Sequence, residues 1–244
     1  MTAAQGATQG ARARARVEVT AAIKDEARRQ LAADGAAKLS LRAVARELGM
    51  VSSALYRYFP SRDDLLTALI VDAYDSLGEA AESARTEAAK TTRGRGAPAE
   101  HWVAVCRAVR AWALAHPHEY GLIYGSPVPG YTAPQATVGP ASRVGQVLIS
   151  IARDAHRSPD GLAVAKLPPT VHAEAERLTA DIAPDLPPAT GLALARAWSQ
   201  LFGMVSFELF GQFNRVIEDR AAFFGHAAGQ LAYEVGLVGP GVRG

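Results

Sequence analysis

The chain is predicted to be all-α, and three observations carry that prediction. Apolar residues recur at three- and four-residue spacing through most of the sequence. No stretch alternates apolar and polar side chains as a half-buried strand would. Glycine and proline clusters punctuate the periodic segments where helices should stop. With 244 residues and 49% apolar content, the chain can hold two modest domains or one large one, each with a real core.

In chain order, residues 1–11 are Ala, Gly, Thr and Gln, a low-complexity tail expected to be unordered. Arg12, Arg14 and Arg16 follow, read either as a solvated helix start or as a basic arm laid on phosphate. A helix from about Val17 to Asp34 should bury Ile23, Ala27 and Leu31, with Gly35 stopping it. Ser40 then caps a short helix whose inward residues are Leu41, Val44, Ala45 and Leu48. Gly49 breaks it, because glycine reaches positive φ without steric cost. A second short helix begins near Ser52, burying Val51, Leu55 and Phe59 and turning Ser52, Ser53, Tyr56 and Arg57 outward. Two short helices joined by a tight turn, the second with a polar and basic outer face, make a helix-turn-helix. Its outer face suits the major groove of DNA.

Ser61-x-x-Asp64 resembles a capping box and opens a long helix burying Leu65, Leu66, Leu69, Ile70, Ala73 and Leu77. Residues 91–98 are a loop by composition, after which a helix runs from Glu100 to His116-Pro117. A short helix covers His118 to Tyr124, and one continuous helix is expected from Pro134 to His156. A shorter helix spans Val171 to Ile182, and two more close the chain, about Ala189 to Ile217 and Arg220 to Leu237. The first of these two is apolar on nearly every side and needs cover all round, in part from a second copy of the chain.

Charge is unevenly placed. Through Arg62 there are eleven cations against five acids, a net +6, which leaves −4 for the remainder of a chain of net +2. A basic front fits a phosphate-facing end.

The run A-V-A-R-E-L-G, followed by L-Y-R-Y-F-P-S-R-D-D-L-L, resembles the DNA-binding domain of the TetR family of bacterial one-component regulators, over roughly Arg16 to Tyr74. Three positions depart from the usual pattern: Val51 stands where a capping Ser is common, Tyr58 for His, and Arg62 for Lys. Further on, Trp112-x-x-x-His116-Pro-x-x-Tyr120-x-x-x-Tyr124-Gly125-x-Pro127 resembles the C-terminal domain of the WHG subgroup of that family, over roughly Ala99 to Gly236. The resemblance implies a disordered basic arm over 1–15, a three-helix helix-turn-helix domain over 16–76, and an effector-binding, dimerising helical bundle over 77–238.

Base contacts are expected from Arg42, Ser52, Ser53 and the Ala54 methyl, and phosphate contacts from Tyr56, Arg57 and Arg62; Ser40 and Tyr58 complete the DNA-binding set. Trp102, Cys106, Trp112, His116, Tyr120, Tyr124 and Phe207 are candidates for an effector pocket. Trp198, Phe202, Gly203, Phe210, Phe224, Ala228 and Leu231 are candidates for the dimer interface. Glu208, a carboxylate in an apolar helix, is expected to pair with an arginine, face solvent or meet a ligand.

Other classes find little support. His116-Pro-His118-Glu119 lacks the i, i+4 histidine spacing of a helical metal site, and single Cys106 supports neither a disulfide nor a cysteine-based zinc site. No metal, cofactor or catalytic residue is expected. Met1 to Ala11 carries no apolar leader core, and residues 192–213 contain Arg196, Gln200, Glu208 and Gln212, too polar for a membrane span. The expectation is a bacterial cytoplasmic homodimer that binds a pseudo-palindromic double-stranded operator and a small hydrophobic effector, most simply as a repressor. An activator of the same fold, or a small-molecule binding protein with a vestigial helix-turn-helix, remains open.

Overall fold

The computed structural model describes residues 3–237, with side chains from Arg12 onward. Ten α-helices occur among them and no strand: α1 Ala3–Asp34, α2 Leu41–Glu47, α3 Ser52–Leu55, α4 Arg62–Thr91, α5 Ala97–Ala115, α6 Pro117–Tyr124, α7 Val138–Arg157, α8 Pro169–Ile182, α9 Pro188–Leu209 and α10 Arg220–Glu234. No helix among the described residues is long and apolar enough to cross a membrane.

The helix pattern written in the sequence is largely present, with three main differences. Helix α1 starts at Ala3 rather than Val17, so Arg12, Arg14 and Arg16 lie within it instead of forming a separate unordered arm. Alanine and arginine are strong helix formers, and the alternating Ala-Arg stretch contains nothing to stop the helix. The helix expected from Pro134 is preceded by a 3-10 turn, Gln135–Thr137, and begins only at Val138. Helix α9 ends at Leu209, short of the expected Ile217, where Gly211 takes φ +85°. The C-terminal boundary expected at Val238 falls outside the described residues.

The chain divides into two compact units that are not contiguous in sequence: Met1–Ala73 with His118–Val138, and Tyr74–Pro117 with Gly139–Gly244. The expected boundary after residue 76 lies close to the division inside α4, but the excursion of residues 118–138 into the first unit was not anticipated.

The first unit is organised around a closed apolar core that includes Ile23 and Ala27 of α1, Leu41 and Val44 of α2, Leu55 of α3, and Leu65 and Leu66 of α4. Lys24 and Arg28 of α1 both bind Asp72 of α4, at 2.8 and 2.7 Å, which ties the two longest helices of the unit together at its surface. In the second unit α5 packs on α9 and α10, α8 on α9, and α9 on α10. Trp102, Val105 and Val109 of α5 and Leu201, Val205 and Leu231 of α9 and α10 are almost wholly buried there.

Along the α4–α7 seam, Arg143 grips Glu82 through Nε and Nη2 (2.8 and 2.7 Å) and Asp75 Oδ1 through Nη1 (2.8 Å). Gly78 makes room for this arginine: a Cβ at that position would sit 2.8 Å from the Arg143 Cβ. Arg85 and Asp154 add a further ion pair between the same helices.

Candidate nucleic-acid interface

The reader is built by α2 and α3. Ser40 opens α2, its Oγ accepting from the Ala43 N–H at 3.5 Å, and Leu41, Val44 and Ala45 turn into the core. Gly49 takes φ +63°, and the Met50 N–H donates to the Ala45 carbonyl at 2.8 Å, closing the turn. Helix α3 is a single turn. Val51 precedes it in extended conformation (φ −70°, ψ 137°) and caps nothing with its side chain. It is 71% exposed, which corrects its assignment to the core. A residue outside the helix does not share its 3.6-residue period, so the i, i+4 reasoning fails at that one position. Leu55 and Phe59 are buried as expected, the Phe59 N–H donating back to the Leu55 carbonyl at 3.1 Å.

Ser52, Ser53, Tyr56 and Arg57 are exposed and Ala54 half-buried. Tyr58 is half-buried against the unit's core, with the Arg16 guanidinium 5.2 Å from its ring centre. The packing thus places α1 against the reader's edge through a cation–π contact.

The basic front is much less free than its composition suggests. Lys24 and Arg28 are held by Asp72, Arg29 by Glu26, Lys38 by Asp34 and Arg46 by Glu47. Arg62 is committed as well: its Nη2 donates to the Ala36 and Ala37 carbonyls at 2.8 and 3.3 Å, and its Nε to the Leu39 carbonyl at 3.2 Å. Those carbonyls belong to the 3-10 turn Ala36–Lys38 and its end. Arg62 is therefore a brace between the start of α4 and the segment before α2, a role that the sequence reading, which cast it as a phosphate anchor, did not include. The Ser61 cap beside it forms one half of the expected capping box: Asp64 N–H donates to Ser61 Oγ at 3.1 Å, and the Ser61 hydroxyl donates to the Asp64 carboxylate at 2.7 Å. Of the cations from Arg12 to Arg62, Arg12, Arg14, Arg42 and Arg57 have neither an ion-pair nor a ring partner among the described residues. Arg42 on α2 and Arg57 just after α3 flank Ser52 and Ser53 in sequence and share their exposure.

Residues 23–69 match the family model of bacterial regulatory proteins of the tetR family, and residues 102–231 match that of a tetracyclin repressor-like C-terminal domain. The HTH-type transcriptional regulator Rv1816 of Mycobacterium tuberculosis is 40% identical over 228 residues, covering 84% of this chain and 86% of that protein. The chain belongs to the TetR family. The solved structure of SCO4313, described as a regulatory protein, is 34% identical, covers 89% of this chain and 97% of its own, and superposes with a TM-score of 0.71. That of RolR in complex with resorcinol is 18% identical, covers 92% of this chain and 95% of its own, and shares the fold at a TM-score of 0.50. This TetR-family chain is accordingly a transcriptional regulator and not an enzyme.

The effector-pocket candidates of this regulator are divided between the two units. Tyr120 and Tyr124 belong to the first, their ring centres 5.2 Å apart. Trp102, Cys106, Trp112 and His116 lie in the second. Trp112 and His116 close the end of α5: their rings stack at 5.0 Å, His116 Nδ1 meets the Trp112 carbonyl at 2.9 Å, and Trp112 Nε1 donates to Ser76 Oγ at 2.9 Å. Trp102 is fully buried, and its indole N–H has no hydrogen-bond partner among the described residues. Cys106 is fully buried too, and burial pushes its thiol up to about 12, which makes it inert. Phe207 is 52% exposed, so it is a surface residue rather than the wall of an enclosed pocket. The second unit carries open grooves. One of about 670 Å³ lies between the end of α4 and the start of α5, and one of about 590 Å³ between α8, α9 and the segment before α8. None of the sequence-named pocket residues lines either.

Glu208 finds an arginine. Arg110 Nε and Nη2 donate to its two oxygens at 2.7 and 2.6 Å, and the carboxylate holds the guanidinium pKa above its ordinary range.

The dimer candidates also need correction. Phe202, Phe224, Ala228 and Leu231 are buried in their own unit, because α9 and α10 pack on α5 as well as on each other. Trp198 and Gly203 are half-buried, while Phe210 is 49% exposed. The apolar residues left outside are Phe207, Phe210, Val216, Phe223 and Tyr233, with Phe213 joining Phe207 and Phe223 edge-on at 5.7 and 5.5 Å.

Among the described residues no three His, Cys, Asp or Glu side chains gather in a way that could hold a metal ion.

Proposed function

We propose that this regulator is a homodimeric repressor that occupies a pseudo-palindromic operator and leaves it when a small, mainly apolar effector binds the second unit. The observation that carries the proposal is the reading face: Ser52, Ser53, Arg42 and Arg57 stand exposed on or next to α2 and α3, and neither arginine has an ion-pair or ring partner among the described residues. Ser52 and Ser53 are cast as base-edge contacts, with Arg42 reading a base and Arg57 and Tyr56 gripping phosphate. The exposed phenylalanines at the α9–α10 junction support a second copy as their cover, since an aromatic surface of this kind is costly in water. For the effector, support comes from two grooves of ligand size and from the buried, unpartnered N–H of Trp102. RolR, of the same fold, holds resorcinol. Release requires that effector and DNA prefer different conformers, since a ligand indifferent between them shifts nothing.

The test is a titration of the purified protein against the DNA upstream of its own gene and against random DNA of equal length, at two salt concentrations. A selective, two-fold symmetric footprint, followed by transcription falling in a reconstituted assay, is the expected result. Equal affinity for operator and random DNA under all conditions, also for fragments selected from a whole genome, would sink the reader assignment. Transcription that rises on binding would replace repressor by activator.

A further inference from the structure

The segment His118–Val138 belongs by sequence to the region expected to bind effector, yet it is part of the reader's unit. Leu122, Val128 and Tyr131 pack against the apolar core that holds α1 to α4 together. One polar contact lies among these apolar ones: the Tyr131 hydroxyl and Thr67 Oγ1 are 2.9 Å apart. Thr67 sits on α4 between the core residues Leu66 and Leu69. The turn that delivers Tyr131 is shaped for it. The Tyr131 N–H donates to the Val128 carbonyl at 3.1 Å, and Gly130 between them takes φ +76°. Upstream, Gly125 closes the end of α6 with a bond from its N–H to the Gly121 carbonyl at 3.0 Å, where any Cβ would collide with that carbonyl.

The connectivity gives this packing a consequence. The chain passes between the two units three times: within α4 after Ala73, after Pro117, and after Val138. Two of the three passages are the ends of the segment that carries Tyr131. Apolar contacts can slide against one another, whereas a directional hydrogen bond sets register.

We infer that Tyr131 is a positioning residue for DNA recognition: its hydroxyl, bonded to Thr67, holds the start of α4 and with it the α2–α3 reader in the geometry that fits the operator, although Tyr131 belongs to neither reader helix. The inference rests on the chain being a DNA reader. It places a determinant of operator affinity in the 118–138 segment, outside the reader helices.

The test uses the full chain and a duplex that the wild-type protein itself selects from a randomised pool. Wild type, Tyr131→Phe, Thr67→Val and the double variant are titrated with that duplex and with an unselected one, at two salt concentrations. Concentrations are corrected to the binding-competent fraction, so lost folding alone cannot alter the dissociation constant. Each single variant is expected to weaken binding to the selected duplex by roughly two- to tenfold, the range of one neutral hydrogen bond. The ratio of selected to unselected affinity should fall with it, the salt slope should stay unchanged, and the double variant should be no weaker than the singles. Wild-type dissociation constants in the single variants, or losses that multiply in the double variant, overturn the inference while leaving the reader intact. If wild type itself prefers no duplex from the pool, the reader assignment fails and this inference fails with it.

Discussion

Replacing Glu208 by alanine leaves the Arg110 guanidinium without its two short charge-assisted hydrogen bonds, in a place where little water can replace them. The Glu208 side chain is 7% exposed and that of Arg110 19%. Removing one partner of a buried ion pair costs about 3–5 kcal/mol, mostly through the stranded charge. Arg110 keeps some water access and a contact with the Phe224 ring, 5.5 Å from its centre, which argues for the lower end, about 3 kcal/mol. For a chain of this size each kcal/mol moves the thermal midpoint by about 2–4 °C, so the fall should be roughly 6–12 °C. Scanning calorimetry at one fixed protein concentration reads this directly, since the midpoint of any self-associating protein depends on concentration. The double variant Arg110→Met/Glu208→Met removes both charges and keeps apolar volume, and should lie within about 1 kcal/mol of wild type. A midpoint shift under about 2 °C for Glu208→Ala would show that the pair is effectively solvated. A double variant as unstable as the single one would show that the loss comes from packing and not from the unpaired charge.

Three further predictions follow from the same geometry. Arg62→Ala should lower thermal stability, because three backbone carbonyls lose a charged donor, while the salt slope of DNA binding stays constant; a slope smaller by about 0.9 would return Arg62 to the phosphate contacts. Cys106 should resist a thiol-specific reagent in the native protein and react fully after denaturation, since its thiol is pushed up to about 12 by burial; rapid native labelling would contradict that burial. The hydrogen bonds from Arg143 hold the Glu82 carboxyl below its ordinary 4.5, so their stabilisation is complete above that pH and is lost as pH falls through the lower folded-state value. The stability gap between wild type and Arg143→Ala should therefore be constant near neutrality and close in acid; a gap that widens there would reverse the assignment.

What the amino-acid sequence determined by itself is local. Helical periodicity located nearly every helix, since the core of α4 from Leu65 to Leu77 is set by a repeat of 3.6 residues and needs no knowledge of its partner. The helix-turn-helix was legible for the same reason: the Ser40 cap, the Gly49 turn and the outward Ser52, Ser53 and Arg57 depend on neighbours only a few residues away. The lone carboxylate Glu208 also announced a need for a partner, though not which arginine would meet it. Tertiary structure alone decided how long-range groups share that material. Arg62 looks like a free cation in sequence and becomes a brace because the fold brings the Ala36, Ala37 and Leu39 carbonyls, more than twenty residues away, within reach of its guanidinium. Phe202, Phe224 and Leu231 look like interface residues and become core because α5, some hundred residues earlier, covers them. The division of Tyr120 and Tyr131 from Trp102 and Trp112 has no local signal either. Where a periodic face points is written in the chain, but what covers that face depends on contacts between segments whose separation no local pattern encodes.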